Sequence, residues 1–168
     1  MLHIANSVCP SRMAMTHPTT AIRPAGEADI PAIFSIRTAV TENHMSAAEL
    51  AAAGITPAMV ATSMRAGTAA LWLATHRGQA CGFAMARADK GDLFALFVLR
   101  HAEGLGIGTA LLQEAETWLG AHGVTEAWLM TGGEPGLRAP GFYESRCWRL
   151  DGTDEDGTLR YVKRLETA

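Results

Sequence analysis

The stretch from Asp92 to Leu119 constrains this chain more than any other. Asp92-Leu93-Phe94-Ala95-Leu96-Phe97-Val98-Leu99 is a short apolar run of the kind that folds as a buried strand. Glu103-Gly104-Leu105-Gly106-Ile107-Gly108-Thr109 follows, and then a segment that sets Ile107, Leu111, Ala115 and Trp118 on one helical face. A strand, a glycine-rich turn and a helix N-terminus together make an anion cradle. Glycines admit a close backbone approach, the first N–H groups of the helix have no intrahelical partner, and the helix dipole favours negative charge there. A plain strand-to-helix turn also needs glycine for its angles, so the glycines alone leave both readings open.

The chain length of 168 residues fits one domain with its own core, with 48% hydrophobic and 18% charged residues. A net charge of −3 offers nucleic acid no general attraction. No apolar run approaches the roughly 20 residues of a membrane helix. Cys9, Cys81 and Cys147 are widely spaced and form no CxxC, which fits a reducing cytoplasm, and Cys81 lies in an apolar run where packing is expected. The six His are scattered without metal-ligand spacing, so no metal is expected.

Taken in order, residues 1–19 read as a loose tail without the pattern of a secretory signal, with Met13 or Met15 as alternative natural starts. Residues 20–168 read as a single domain. Ala21 to Pro24 is a short strand. Glu27 to Val40 is a helix with acidic residues in its first turn and one face marked by Ile30, Ile33, Phe34 and Arg37. Ser46 and Glu49 form a capping box for a short Ala-rich helix, and Thr56-Pro57 opens another. Three strands follow, over 69–76, 79–88 and 92–99, joined by Arg77-Gly78 and by Asp89-Lys90-Gly91. After the glycine turn and its helix come a strand from Glu126 to Met130 and a short helix from Pro140 to Arg146. A hairpin then closes around the acidic turn at 151–157, which is a solvated turn or a surface that draws a cationic amine.

A nucleotide P-loop requires GxxxxGK(S/T), and no Lys follows these glycines. A dinucleotide fingerprint requires GxGxxG, and Thr109 stands in its third slot. The segment Val98-Leu99-Arg100-His101-Ala102-Glu103-Gly104-Leu105-Gly106-Ile107-Gly108 instead resembles the acetyl-CoA signature of the GNAT superfamily of N-acetyltransferases, a strand Val, a Q/R-x-x-G-x-G/A turn and a helix. Arg138-Ala139-Pro140-Gly141-Phe142-Tyr143-Glu144-Ser145-Arg146-Cys147-Trp148 is similar to the family's A-x-x-F-Y-E-x-x-G-F/W segment. The resemblance covers about residues 21–164. It implies an α/β (α+β) fold with a central mixed, mostly antiparallel twisted sheet of about six or seven strands, flanked by about four or five helices.

The resemblance further implies an acetyl-CoA-dependent N-acetyltransferase in which an amine attacks the thioester directly. The pantetheine arm is expected along Leu96, Phe97 and Val98, and the pyrophosphate on backbone N–H groups of Gly104, Leu105, Gly106, Ile107, Gly108 and Thr109. Tyr143 is the matching general acid for the CoA thiolate. Glu103 departs from the family's Gln or Arg and is expected to turn outward, because a carboxylate beside a pyrophosphate is unfavourable. Leu105 lacks the positive charge often found there, so Arg100 or Arg138 is expected to supply it. Gly136 stands where an Asn often holds the cofactor, and Cys147 replaces the usual Gly. Candidate bases are Asp92, near a strand glutamate of the family's histone acetyltransferases, and Glu42 and His44 after the first helix. A water relay without a dedicated base is the alternative. Arg37, Glu42, Asn43 and His44 are the expected acceptor-side residues, although a polar strand opening and a solvated loop explain Asp92 and residues 42–44 equally simply. The acceptor is a small-molecule or peptide amine, and a homodimer is a family-level expectation. A sensing domain that binds acetyl-CoA without turnover, and a transferase for longer acyl groups or alcohols, are the competing readings.

Overall fold

The computed structural model describes residues 18–167, so most of the expected tail lies outside the described residues. The strands are β1 (Thr20–Pro24), β2 (Ala69–His76), β3 (Gln79–Arg87), β4 (Asp92–Val98), β5 (Glu126–Thr131), β6 (Arg149–Thr153) and β7 (Leu159–Arg164). The helices are α1 (Ile30–Ala39), α2 (Ala47–Ala52), α3 (Pro57–Arg65), α4 (Ile107–Ala121) and α5 (Ala139–Glu144). The strands form one sheet in the order β1-β2-β3-β4-β5-β7-β6. Only β4 and β5 run parallel among the described residues, so the mixed, mostly antiparallel α/β architecture is as expected.

Local chemistry accounts for the boundaries. Arg77 and Gly78 both have positive φ, +50° and +78°, which is the twist a two-residue hairpin between β2 and β3 requires. Ser46 Oγ accepts from Glu49 N–H at 3.2 Å while Glu49 Oε2 accepts from Ser46 N–H at 2.6 Å, completing the capping box of α2. Thr56 Oγ1 accepts from Met59 N–H to cap α3, with Pro57 at its first position. The first helix is shorter than its sequence pattern. Glu27–Asp29 form a 3-10 turn, because the Asp29 carboxylate bonds backward to Gly26 N–H and to Arg23.

Side chains of the central strands alternate between two buried layers. Leu71, Leu73, Phe83 and Met85 face Ile30, Ile33 and Ile36 of α1 and Val60 of α3. Trp72, Ala74, Ala84 and Ala86 face Ile107, Leu111, Leu112, Ala115 and Leu119 of α4. A sheet covered on both faces reads as continuous apolar runs, which is what β2 and β3 show. Cys81 is fully buried on the α4 side. Among the described residues no helix is long and apolar enough to cross a membrane.

The feature that positions the site is a split in the sheet. β4 and β5 share a single register pair, Asp92↔Trp128, and then diverge. The register between β3 and β4 jumps from Ala86↔Leu93 to Met85↔Ala95, so Phe94 is an extra residue in β4. A bulge of this kind bends the strand that carries it. β4 therefore continues to Val98 on its β3 side while its β5 side opens.

Candidate active site

Alternation along β4 decides what the opening offers. Leu99 N–H donates to Cys81 C=O at 2.8 Å, so the backbone groups of residues 97 and 99 face β3. Those of Leu96 and Val98 then face the split, with no strand opposite them. Phe97 gives its ring to the cavity walls rather than its amide to the opening.

Beyond Val98, a 3-10 turn over Arg100–Ala102 leads to α4. Gly104 and Gly106 have φ of +77° and +81°, where an L side chain is strained. The first backbone bond of the helix runs from Ala110 N–H to Gly106 C=O at 3.1 Å. Among the described residues, no backbone carbonyl accepts from the N–H groups of residues 104–109. Gly108 has a different reason to be glycine: a Cβ there would lie 3.3 Å from the Phe142 ring, so its absence lets α5 close on α4. This run of donors forms one wall of a cleft of about 570 Å3, whose other walls include Leu96, Val98, Glu42, Phe142 and Tyr143.

The charges around the cleft correct one expectation. Glu103 does not turn outward; it ion-pairs with Arg138, and both side chains line the cleft. The pair holds the carboxylate beside the cradle but cancels its charge, and it commits Arg138 to Glu103. Arg138 N–H also donates to Glu42 Oε2 at 3.2 Å, tying the loop after α1 to the start of α5. Arg146 is the cation that the sequence reading missed. Its Nε donates to Thr109 Oγ1 at 3.1 Å, its Nη1 to Phe142 C=O at 2.9 Å, and its guanidinium lies 3.8 Å over the Phe142 ring. It therefore stands at the N-terminus of α4, on the cleft wall. The i, i+4 spacing of Phe142 and Arg146 was the available signal, since it stacks the two along α5 and the turn after it.

Tyr143 is 6% exposed and also lines the cleft. Its ring packs edge-on against Phe142 and Trp148, with centroids 5.1 and 6.0 Å away. Its hydroxyl bonds to no other described residue and is not sealed from the cleft. Burial pushes its pKa well above the ordinary phenol range. Cys147 has a left-handed backbone, with φ of +67°, the conformation that favours glycine, at a strain of about 1–2 kcal/mol. Gly136 does not line the cleft.

A second cavity, of about 340 Å3, meets the first at Asn43 and Phe97, which line both. Its walls are mostly apolar, from Phe34, Ile55, Val60, Leu71, Met85, Phe94 and Met130, with Arg37 and Glu134 as charged members. Of the expected acceptor-side residues, Arg37 lies here, Asn43 lies at the junction, and Glu42 lies in the first cleft.

Two candidate bases fall elsewhere. His44 lines neither cavity; its Nδ1 is 2.9 Å from Val40 C=O, which turns the ring back on the end of α1. Asp92 also lines neither cavity. It is 1% exposed and bound by both Nε (2.9 Å) and Nη2 of Arg87, its register partner across β3 and β4. A carboxylate so held is a structural ion pair at the point where the sheet splits. Among the described residues no group of three His, Cys, Asp or Glu side chains converges as metal ligands would.

Comparison with known proteins gives a family and a fold. The sequence model of the acetyltransferase (GNAT) family matches residues 38–147. No curated protein gives a significant match. Among solved structures, the chain is similar to the PaiA N-acetyltransferase of Thermoplasma acidophilum, crystallised in complex with coenzyme A. Identity is 17% and the TM-score 0.70, over 86% of this chain and 98% of that one. It is also similar to the ribosomal-protein-S18-alanine N-acetyltransferase of Escherichia coli, at 20% identity and a TM-score of 0.67, over 89% of this chain and 96% of that one. An N-acetyltransferase from Staphylococcus aureus Mu50 gives 20% identity and a TM-score of 0.66, over 88% and 99%. At these identities the likeness is one of fold.

Proposed function

The chain belongs to the GNAT family of acetyltransferases, and on that premise we propose that it transfers an acetyl group from acetyl-CoA to an amine that enters through the second cavity. The observation that carries this reading is the run of unpaired N–H donors at 104–109, opening into the same cleft as Tyr143. Such a run at a helix N-terminus suits a pyrophosphate. The open backbone edge of Leu96 and Val98 suits the amides of a pantetheine arm. Arg100, Arg138 and Arg146 outnumber Glu42 and Glu103 among the charged side chains that line the cleft, which also suits an anion.

Acetyl-CoA supplies the activated acyl group, a thioester. The protein's part is to aim it, to take a proton from the amine and to stabilise the departing sulfur. Glu42 takes the amine proton, directly or through water, as the N–C bond forms. Tyr143 gives its proton to sulfur as the C–S bond breaks, and solvent then returns the proton from Glu42 to Tyr143. Because burial keeps the phenol protonated throughout the usual assay range, Tyr143 is a donor at every working pH.

Thiol release from acetyl-CoA, measured across a panel of amines, tests the reading. Turnover of at least one amine is expected. Tyr143→Phe is expected to lower kcat by about 100-fold while changing the KM for acetyl-CoA by less than about twofold. An unchanged kcat removes Tyr143 from the mechanism. Tight acetyl-CoA binding with no thiol release for any amine would instead make the chain a sensing domain.

A further inference from the structure

The second cavity contains a charge that no described residue answers with an ion pair. Arg37 comes from the last turn of α1, and its guanidinium lies 4.3 Å over the Phe97 ring. Among the described residues its Nη1, shut off from solvent, has no hydrogen-bond partner, and Arg37 forms no ion pair. Burial lowers its pKa. A half-buried cation in an apolar cavity is costly unless something pairs with it. Glu134, on the same cavity wall, forms no ion pair with it. Resting on the acetyltransferase reading, we propose that Arg37 binds the carboxylate of the acceptor, and that the acceptor is an apolar α-amino acid.

Three observations fix the parts of that ligand. Phe97 lines both cavities, so a carboxylate held at Arg37, stacked on the Phe97 ring, lies beside the junction where the amine must meet the thioester. A short link between carboxylate and amine suits that placement, as in an α-amino acid. Second, two oxygen acceptors lie close together on the second cavity, Asn43 at the junction and Glu134 on its wall: a Cβ built on Gly132 would lie 2.4 Å from Asn43 Oδ1 and 2.7 Å from Glu134 Oε2, and such a pair suits an ammonium. Third, the remaining walls, among them Phe34, Val60, Leu71 and Phe94, are apolar and suit an apolar side chain. Cation–π stacking alone would also place Arg37 on Phe97, but the guanidinium lines the cavity and forms no ion pair among the described residues, which leaves its charge for a ligand carboxylate to answer.

The test compares L-phenylalanine and L-leucine with their carboxamides and with the corresponding decarboxylated amines, by thiol release from acetyl-CoA. For the wild-type chain, kcat/KM for the acids is expected to exceed that for the neutral analogues by about 10- to 100-fold, the range of one charge-assisted contact. Arg37→Gln should bring that ratio near one and leave the KM for acetyl-CoA within about twofold. Arg37→Lys should keep part of the preference, since it keeps the charge and loses the planar fork. Equal turnover of acids and amides by the wild type overturns the proposal. So does an equal loss on both in Arg37→Gln, which marks a structural role. If no amine is turned over, the acetyltransferase reading fails by itself, and calorimetric binding of N-acetyl-L-phenylalanine and its amide decides the role of Arg37. Acid-selective binding lost in Arg37→Gln supports it, and absence of acid preference refutes it. Should Arg37→Gln not fold, the wild-type acid-to-amide ratio and Arg37→Lys give the same decision.

Discussion

Replacing Asp92 by Asn separates a structural carboxylate from a catalytic one. The Asp92 side chain is 2% exposed and that of Arg87 23%, and the two are joined by a bidentate contact along the Nε–Nη2 edge of the guanidinium. Arg87 also lies 4.0 Å over the Phe94 ring, which limits how far it can turn to water. Removing one member of a buried pair costs about 3–5 kcal/mol. Asn keeps one acceptor oxygen and Arg87 keeps some solvent, so the loss should lie near the low end, about 2–3 kcal/mol. In a chain of this size about 1 kcal/mol moves the melting temperature by about 2–4 °C, so calorimetry should find Tm lowered by about 4–12 °C. Thiol release at 25 °C, well below the transition, should show kcat within about threefold of wild type, whereas loss of a general base costs about 100- to 10,000-fold. A hundredfold fall in kcat with Tm unchanged would refute the structural assignment. The double replacement Arg87→Met with Asp92→Leu should recover most of the lost stability, because an apolar pair has no charge left to bury.

Two further outcomes follow from named contacts. Glu103→Gln removes the carboxylate from the cradle and releases Arg138, so calorimetry should find acetyl-CoA bound equally well or a few-fold more tightly; a large loss would mean that the Glu103–Arg138 pair shapes the cradle. Asp29 is held at a pKa of about 2, first by its hydrogen bonds from Arg23 and then by that from Gly26 N–H. Its folded pKa lies below the unfolded value, so the stabilisation is present above about pH 4 and lost as pH falls toward 2. Arg23 is half exposed, which screens the pair and keeps the effect small. Urea midpoints of Asp29→Asn should accordingly fall less steeply than wild type between pH 4 and pH 2, and parallel curves would show that the pair contributes nothing.

Features set by neighbours in the chain were legible in the sequence. The Arg77-Gly78 hairpin, the Ser46–Glu49 box, the Thr56-Pro57 cap and the glycine turn before α4 depend on backbone angles and on donors within a few residues. Local chemistry therefore determines them, and the motifs around Gly104–Gly108 and Phe142–Tyr143 carry the family with them. Contacts between distant segments were not legible. Glu103 and Arg138 are 35 residues apart, and only the closing of α5 on α4 turns Glu103 toward Arg138 rather than outward. Asp92 opens a strand in either reading, and only its register with Arg87 removes it from the chemistry. Arg37 was readable as one position on a helical face, but not as a cation that no described carboxylate pairs with, because that depends on how distant segments pack around it. The sequence by itself determined the elements and the cradle. The tertiary structure decided which charges meet, because pairing at this range depends on how the sheet splits and which helices close over it.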